Sequence, residues 1–401
     1  MSTPATAVLA TPTRTGRTGR TGLTDLTDLT DLAAYSERVF GHLPRCDQRR
    51  WATVYLRGLL STPGRKSGRR MARVLGLPSS ASQSLQQFIT SSPWDWEAPR
   101  GELSRIAAGL MPGAVWTTAT VLLRRGGTQS VGLHQRLVPE SGRHINCQVG
   151  IGLFLTDGRR SIPVHWQLVL NDAWCDDPER RRRAKIPHEV TPRPAWALTL
   201  DMLHQSVADQ VAVSAPLVYS LDHSRDPSRL AAHLNQTGRD FVIEVPPHQP
   251  FTAILPGADA HEPARMRTST AAGLLEGCVR TAPSLRGDGT RLCTVAVRFH
   301  SPRASSPAAR RTLRLVAEIP AARRQPSRFW VTSLRDTRPQ VSHALALRSE
   351  LTHATVQRLQ NDLGLLDFEG RSFPGWHHHM TLASAAYLYR CLASGEQQRR
   401  R

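Results

Sequence analysis

Between Val115 and Val245, short apolar runs rich in β-branched residues alternate with stretches of helical periodicity, an order that few folds accommodate. Val115–Leu123 reads VWTTATVLL, Cys147–Leu155 reads CQVGIGLFL and Val164–Leu170 reads VHWQLVL. Each is short and closed by turn residues, as strands of a sheet are. A helix is predicted from about Pro194 to Ala208, then an apolar strand over Pro216–Leu221 that ends at Asp222. A second helix through Leu230 and Leu234 leads into a strand at Phe241–Val245. Three strands, a helix, a strand, a helix and a strand predict an α/β fold built on one mixed sheet.

The flanks carry different textures. Residues 1–34 are low complexity, TRTGRTGRTG giving way to LTDLTDLTDL, and a three-residue period suits neither an amphipathic helix nor a strand. They read as a disordered tail. Residues 35–111 read as a helical domain: Trp51, Val54, Tyr55, Leu59 and Leu60 form one stripe, and Met71, Val74 and Leu75 another, closed by Gly76 and Pro78. Ser82 or Ser84 is placed to cap the next helix, through Leu85 and Phe88. The core occupies 112–245, and the Pro-, Gly-, Ala- and Arg-rich 246–328 reads as an inserted β-rich subdomain, with strands at Leu292–Phe299 and Thr312–Glu318. Phe329–Leu334 resumes the core over 329–392. One helix is expected from about His343 to Leu363, then a turn, a last helix and a basic tail over 393–401.

Charge narrows the partner. Lys+Arg number 52 against 32 Asp+Glu, a net +20, and the only lysines are Lys66 and Lys185. Arginine presents a planar fork to phosphate oxygens, so double-stranded DNA is the expected partner. The expected contacts are Arg65, Lys66, Arg69 and Arg70 on a basic turn, Arg124 and Arg125 after the first strand, and Arg180, Arg181, Arg182 and Arg183. Six scattered cysteines without a CxxC pair argue against a zinc ribbon or a disulfide frame and fit a reducing cytoplasm, where a DNA partner would place the chain at the nucleoid. No apolar run has the length of a membrane span, and the N-terminus lacks a signal-peptide core. A homodimer is left open.

Near the C-terminus, Asp367-Phe368-Glu369-Gly370-Arg371-Ser372 precedes Trp376-His377-His378-His379-Met380. Adjacent helical residues point about 100° apart, so at most two of the three histidines can face one ion. Histidines packed on a neighbouring element are one reading and a zinc site the other. This stretch resembles the closing motif of bacterial insertion-sequence transposases with a DDE superfamily endonuclease domain. Four further pieces share the resemblance: Trp51–Met71 with Tyr55-Leu56-Arg57-Gly58, Ser92-Pro93-Trp94-Asp95, Ser130-Val131-Gly132 followed by Asn146-Cys147-Gln148-Val149, and Pro163-Val164-His165-Trp166 followed by Trp174, Asp177 and Arg180 to Pro187.

The resemblance implies a ribonuclease-H-like core, with two aspartates and a glutamate holding two Mg²⁺ ions for phosphodiester cleavage and strand transfer. At the first aspartate this chain has Thr118 and Ala119. Asp222 stands one residue late for the second. The glutamate position reads His353 and the lysine seven residues on reads Gln360, while Glu350, one turn before His353, is a possible substitute. Glu369 lies past the catalytic helix and reads as structural. The acidic set therefore looks dismantled, which predicts a DNA-binding protein of transposase type without cleavage activity and without a cofactor. Two alternatives stand beside it: an active transposase with rearranged ligands such as Asp222, Glu350 and Asp172, binding Mg²⁺, and a zinc hydrolase using His353 and the histidine run.

Overall fold

The computed structural model describes residue 29 and residues 31–127, 129–138, 142–220, 227–255, 265–276, 281–300 and 311–399. The low-complexity repeats before Leu29 and the last two arginines lie outside them.

Five helices open the chain: α1 (Leu32–Phe40), α2 (Cys46–Ser61), α3 (Gly68–Val74), α4 (Ala81–Thr90) and α5 (Glu97–Leu110). Asp31 caps α1, its carboxylate accepting from Ala34 N at 3.0 Å. Ala52, Tyr55, Leu56 and Leu59 bury one face of α2 at three- and four-residue spacing. Two local expectations need correction. Ser80, not Ser82 or Ser84, precedes α4. The basic turn is half helix: Ser67 Oγ accepts from Arg70 N, so Arg69 and Arg70 stand in the first turn of α3.

The remaining elements are β1 (Val115–Arg124), β2 (His134–Val138), β3 (Arg143–Thr156), β4 (Ser161–Leu168), α6 (Asp172–Cys175), α7 (Pro178–Ala184), α8 (Ala195–Ala208), β5 (Leu217–Tyr219), α9 (Pro227–Gln236), β6 (Phe241–Val245), β7 (Pro250–Leu255), β8 (Arg265–Thr270), α10 (Ala271–Leu275), β9 (Thr281–Pro283), β10 (Arg291–Phe299), β11 (Leu313–Ile319), β12 (Arg328–Thr332), α11 (Pro339–Ala346), α12 (Arg348–Leu363) and α13 (Phe373–Arg399). The short β2 was not anticipated.

Within the sheet, β4 pairs with β3, β3 with β1, β1 with β5 and β5 with β6. The first two pairings are antiparallel and the last two parallel. Three antiparallel strands flanked by two parallel ones form the ribonuclease-H-like arrangement. β12 then adds antiparallel to β6, and β11, β10, β7 and β8 follow outward, so the strands of the 246–328 segment continue the same sheet.

The helix expected from His343 to Leu363 is two helices meeting at Leu347. Ser349 Oγ donates to Ala346 O at 2.8 Å, taking a carbonyl at the joint. The last helix, α13, is buried on all sides from Trp376 to Leu388 and continues through 393–399. A helix surrounded by protein needs no polar face, so its sequence shows little amphipathic periodicity.

Candidate nuclease site

The resemblance places the acidic ligands on β1, at the end of β5 and on the helix packed over them, here α12. β1 and β5 run parallel with Trp116 opposite Leu217 and Thr117 opposite Val218. Thr118 and Ala119 are both buried in β1 and supply no carboxylate. Asp222, a few residues past β5, lies outside the described residues.

The α12 face that meets β1 is hydroxylic. Thr352 Oγ1 stands 2.7 Å from Thr117 Oγ1, 3.0 Å from Ser161 Oγ and 3.3 Å from Thr156 Oγ1. Thr117 and Thr156 are themselves 2.7 Å apart. All four residues are buried, and each hydroxyl both donates and accepts, so the cluster satisfies itself without charge. Sequence reading missed it because the four come from four separate elements.

Glu350 stands two residues before Thr352, about 200° away around the helix. Its carboxylate takes Arg286 at 3.1 Å and Arg328 at 3.0 Å. His353 and Gln360 are half-buried, on the flank of α12 between these two faces. Asp172 is exposed at the start of α6. Two divalent cations need several hard, anionic oxygen ligands, and the described residues at these positions do not fit them. Among the described residues no three His, Cys, Asp or Glu side chains are grouped to hold a metal ion.

The histidine run resolves into three separate packing jobs. His377 Nδ1 meets the Arg100 guanidinium at 3.1 Å, and its ring stacks on Trp96. His378 lies between Ile89 O and Trp94 O, at 2.8 and 2.9 Å, and stacks on Trp94 with centroids 3.8 Å apart. His379 bridges Tyr55 Oη at 3.1 Å and Gly364 O at 3.0 Å. Burial pushes His377 well below the usual imidazole range and takes His378 and His379 down to about 4. The rings diverge, as successive positions on a helix must, and do not share an ion.

The other resemblance motifs converge on the same region. Arg125 donates to Gln148 Oε1 and Leu366 O, Gln148 donates to Val131 O, and Val131 N donates to Arg371 O. Lys66 N donates to Asp367 Oδ2 at 2.7 Å and its ammonium to Thr62 O. Arg65 pairs with Glu369 at 2.8 Å, both largely exposed. Residues far apart in the chain are joined because they hold the start of α13 in place.

This divides the expected DNA contacts. Lys66 and Arg181 spend side-chain donors on backbone carbonyls, Arg181 on Cys175 O, Pro187 O and Val190 O, and Arg125 divides its donors between the Gln148 side chain and Leu366 O. Arg180 pairs with Asp177 and lies over the Trp174 ring, and Arg70 donates to Pro63 O. Arg69, Arg124, Arg182 and Arg183 are exposed. Arg182 and Arg183 sit on α7, whose first amides are capped by Asp177.

The strand order, with α12 packed on β1, defines a ribonuclease-H-like protein. The family profile described as DDE superfamily endonuclease matches residues 38–273, more than half of the chain. The chain belongs to that family. No curated protein matches it. Among the described residues no helix is long and apolar enough to cross a membrane.

Proposed function

We propose that the chain binds double-stranded DNA on an insertion-sequence transposase scaffold and has lost phosphodiester cleavage. The observation that carries this reading is that the positions where the resemblance calls for carboxylates on β1 and α12 hold Thr118, Ala119 and His353, while α12 meets β1 beside them through the neutral Thr117, Thr156, Ser161 and Thr352 hydroxyls. A threonine hydroxyl is neutral at pH 7 and cannot offset two divalent cations. Glu350 is already neutralised by two arginines. The net charge of +20 and the exposed Arg69, Arg124, Arg182 and Arg183 support a duplex partner.

Supercoiled plasmid incubated with the full chain and Mg²⁺ or Mn²⁺ tests the reading. The expected result is no nicking, together with duplex binding that weakens steeply as salt rises. Clear nicking that Asp222→Ala abolishes would overturn it in favour of rearranged ligands with Mg²⁺ as cofactor. Affinity unchanged between low and high salt would remove the DNA partner.

A further inference from the structure

Away from β1 and α12, three side chains on separate elements form a hydrogen-bonded line. Ser284 follows β9, Glu318 lies on β11 and His343 on α11. His343 Nε2 stands 3.0 Å from Glu318 Oε2, and its Nδ1 stands 3.2 Å from Ser284 Oγ. Glu318 and His343 are buried, and Ser284 is half-buried at a hairpin turn.

The chemistry of the groups orders the protons. A carboxylate only accepts, so Nε2 carries the hydrogen and Nδ1 presents a lone pair to the serine. Ser284 Oγ already accepts the Arg286 N–H at 3.2 Å, which turns its own hydrogen toward Nδ1. Burial works against a charge on Glu318, but the hydrogen bond from His343 and the Arg328 guanidinium hold its carboxyl below the usual range. Trp330 packs edge-on against the imidazole, centroids 5.5 Å apart, and limits its rotation.

We propose that Ser284, His343 and Glu318 act as nucleophile, base and orienting acid, and that the chain hydrolyses small acyl esters at Ser284. A serine, a base within hydrogen-bond reach and a third group that aims the base are recognised by geometry rather than by sequence position. The site is independent of DNA binding and of metal chemistry. Ser284 Oγ attacks the ester carbonyl carbon and forms the new C–O bond, and its proton passes to His343 Nδ1. That proton goes to the departing alcohol oxygen as the ester C–O bond breaks. Water then attacks the acyl-serine and gives a proton to Nδ1, which returns it to Oγ as the carboxylic acid leaves. Leu285, 71% exposed beside the nucleophile, suits a short apolar acyl group. Its backbone N–H directly follows the nucleophile, a common source of an oxyanion donor.

Full-length protein is treated with a fluorophosphonate probe, the adduct is mapped by peptide mass spectrometry, and p-nitrophenyl acetate hydrolysis is followed in parallel. The expected result is a phosphonyl group on Ser284, ester hydrolysis lost in Ser284→Ala, and labelling slowed roughly a hundredfold in Glu318→Gln. No adduct on Ser284 in the unsubstituted chain would overturn the proposal without reference to any variant. Equal labelling rates in the unsubstituted chain and Glu318→Gln would also overturn it, because the serine would then react without the relay.

Discussion

Arg100 sits on α5 with no exposed surface, and its guanidinium is spent on Thr381 Oγ1 at 2.9 Å, Trp166 O at 3.0 Å and His377 Nδ1 at 3.1 Å, with Glu97 at 3.5 Å. Burial lowers its pKa to about 10, which leaves it charged at neutral pH. Replacing it with Met removes a buried charge but strands three polar partners, and Arg100→Met is expected to cost about 3 kcal/mol in urea-unfolding stability. The histidines beside it set a pH dependence. His379, with one carbonyl and one hydroxyl as partners, is neutral when folded, with a pKa near 4, and gains a proton at the ordinary imidazole value when unfolded. Between about pH 6.5 and 4 the unfolded chain therefore binds more protons, so stability falls as pH falls through that window. Urea unfolding at pH 7 and pH 5 should show a loss on the order of 2 kcal/mol from the His379 ring. A His379→Gln variant should show a smaller loss.

Single elements are held together by close approach and by neutral hydroxyls. β3 carries Gly150 and Gly152 where bulky rings press on the strand. A Cβ at Gly150 would stand 2.8 Å from the Trp376 ring and 2.9 Å from Val121, and one at Gly152 would stand 2.7 Å from both Phe154 and Trp166. Trp376 is fully buried and cannot swing away, so Gly150→Ala is expected to lower stability by about 1–3 kcal/mol on thermal melting. Thr352→Val keeps the shape of α12 and removes the hydroxyl that Thr117 and Ser161 share. Those two retain Thr156 as a partner, at 2.7 and 2.8 Å, so the expected cost is only about 1 kcal/mol. A much larger loss would mean that the cluster acts as one unit.

For the whole molecule, the basic excess divides into structural arginines and exposed ones, and only the exposed ones should govern salt dependence. Arg182→Ala with Arg183→Ala is expected to reduce the slope of log affinity against log salt by about two. Arg181→Ala beside them should instead lower stability, because its guanidinium joins three backbone carbonyls. Binding isotherms over a salt series and melting curves on the same proteins separate the two outcomes.

The core strands, their order with the helices and the absence of carboxylates at positions 118, 119 and 353 are legible in the amino-acid sequence, because strand composition and ligand chemistry are local properties. The motif pieces were also legible, but not their purpose. The packed fold is what brings Tyr55, Lys66, Gln148 and Arg371 together around the start of α13. It also decided which way Glu350 points, which arginines stay free for solvent, that the 246–328 strands extend the central sheet, and that Ser284, Glu318 and His343 meet. Each of these depends on pairings between residues distant in the chain, and the energy that selects such pairings arises only when the elements pack.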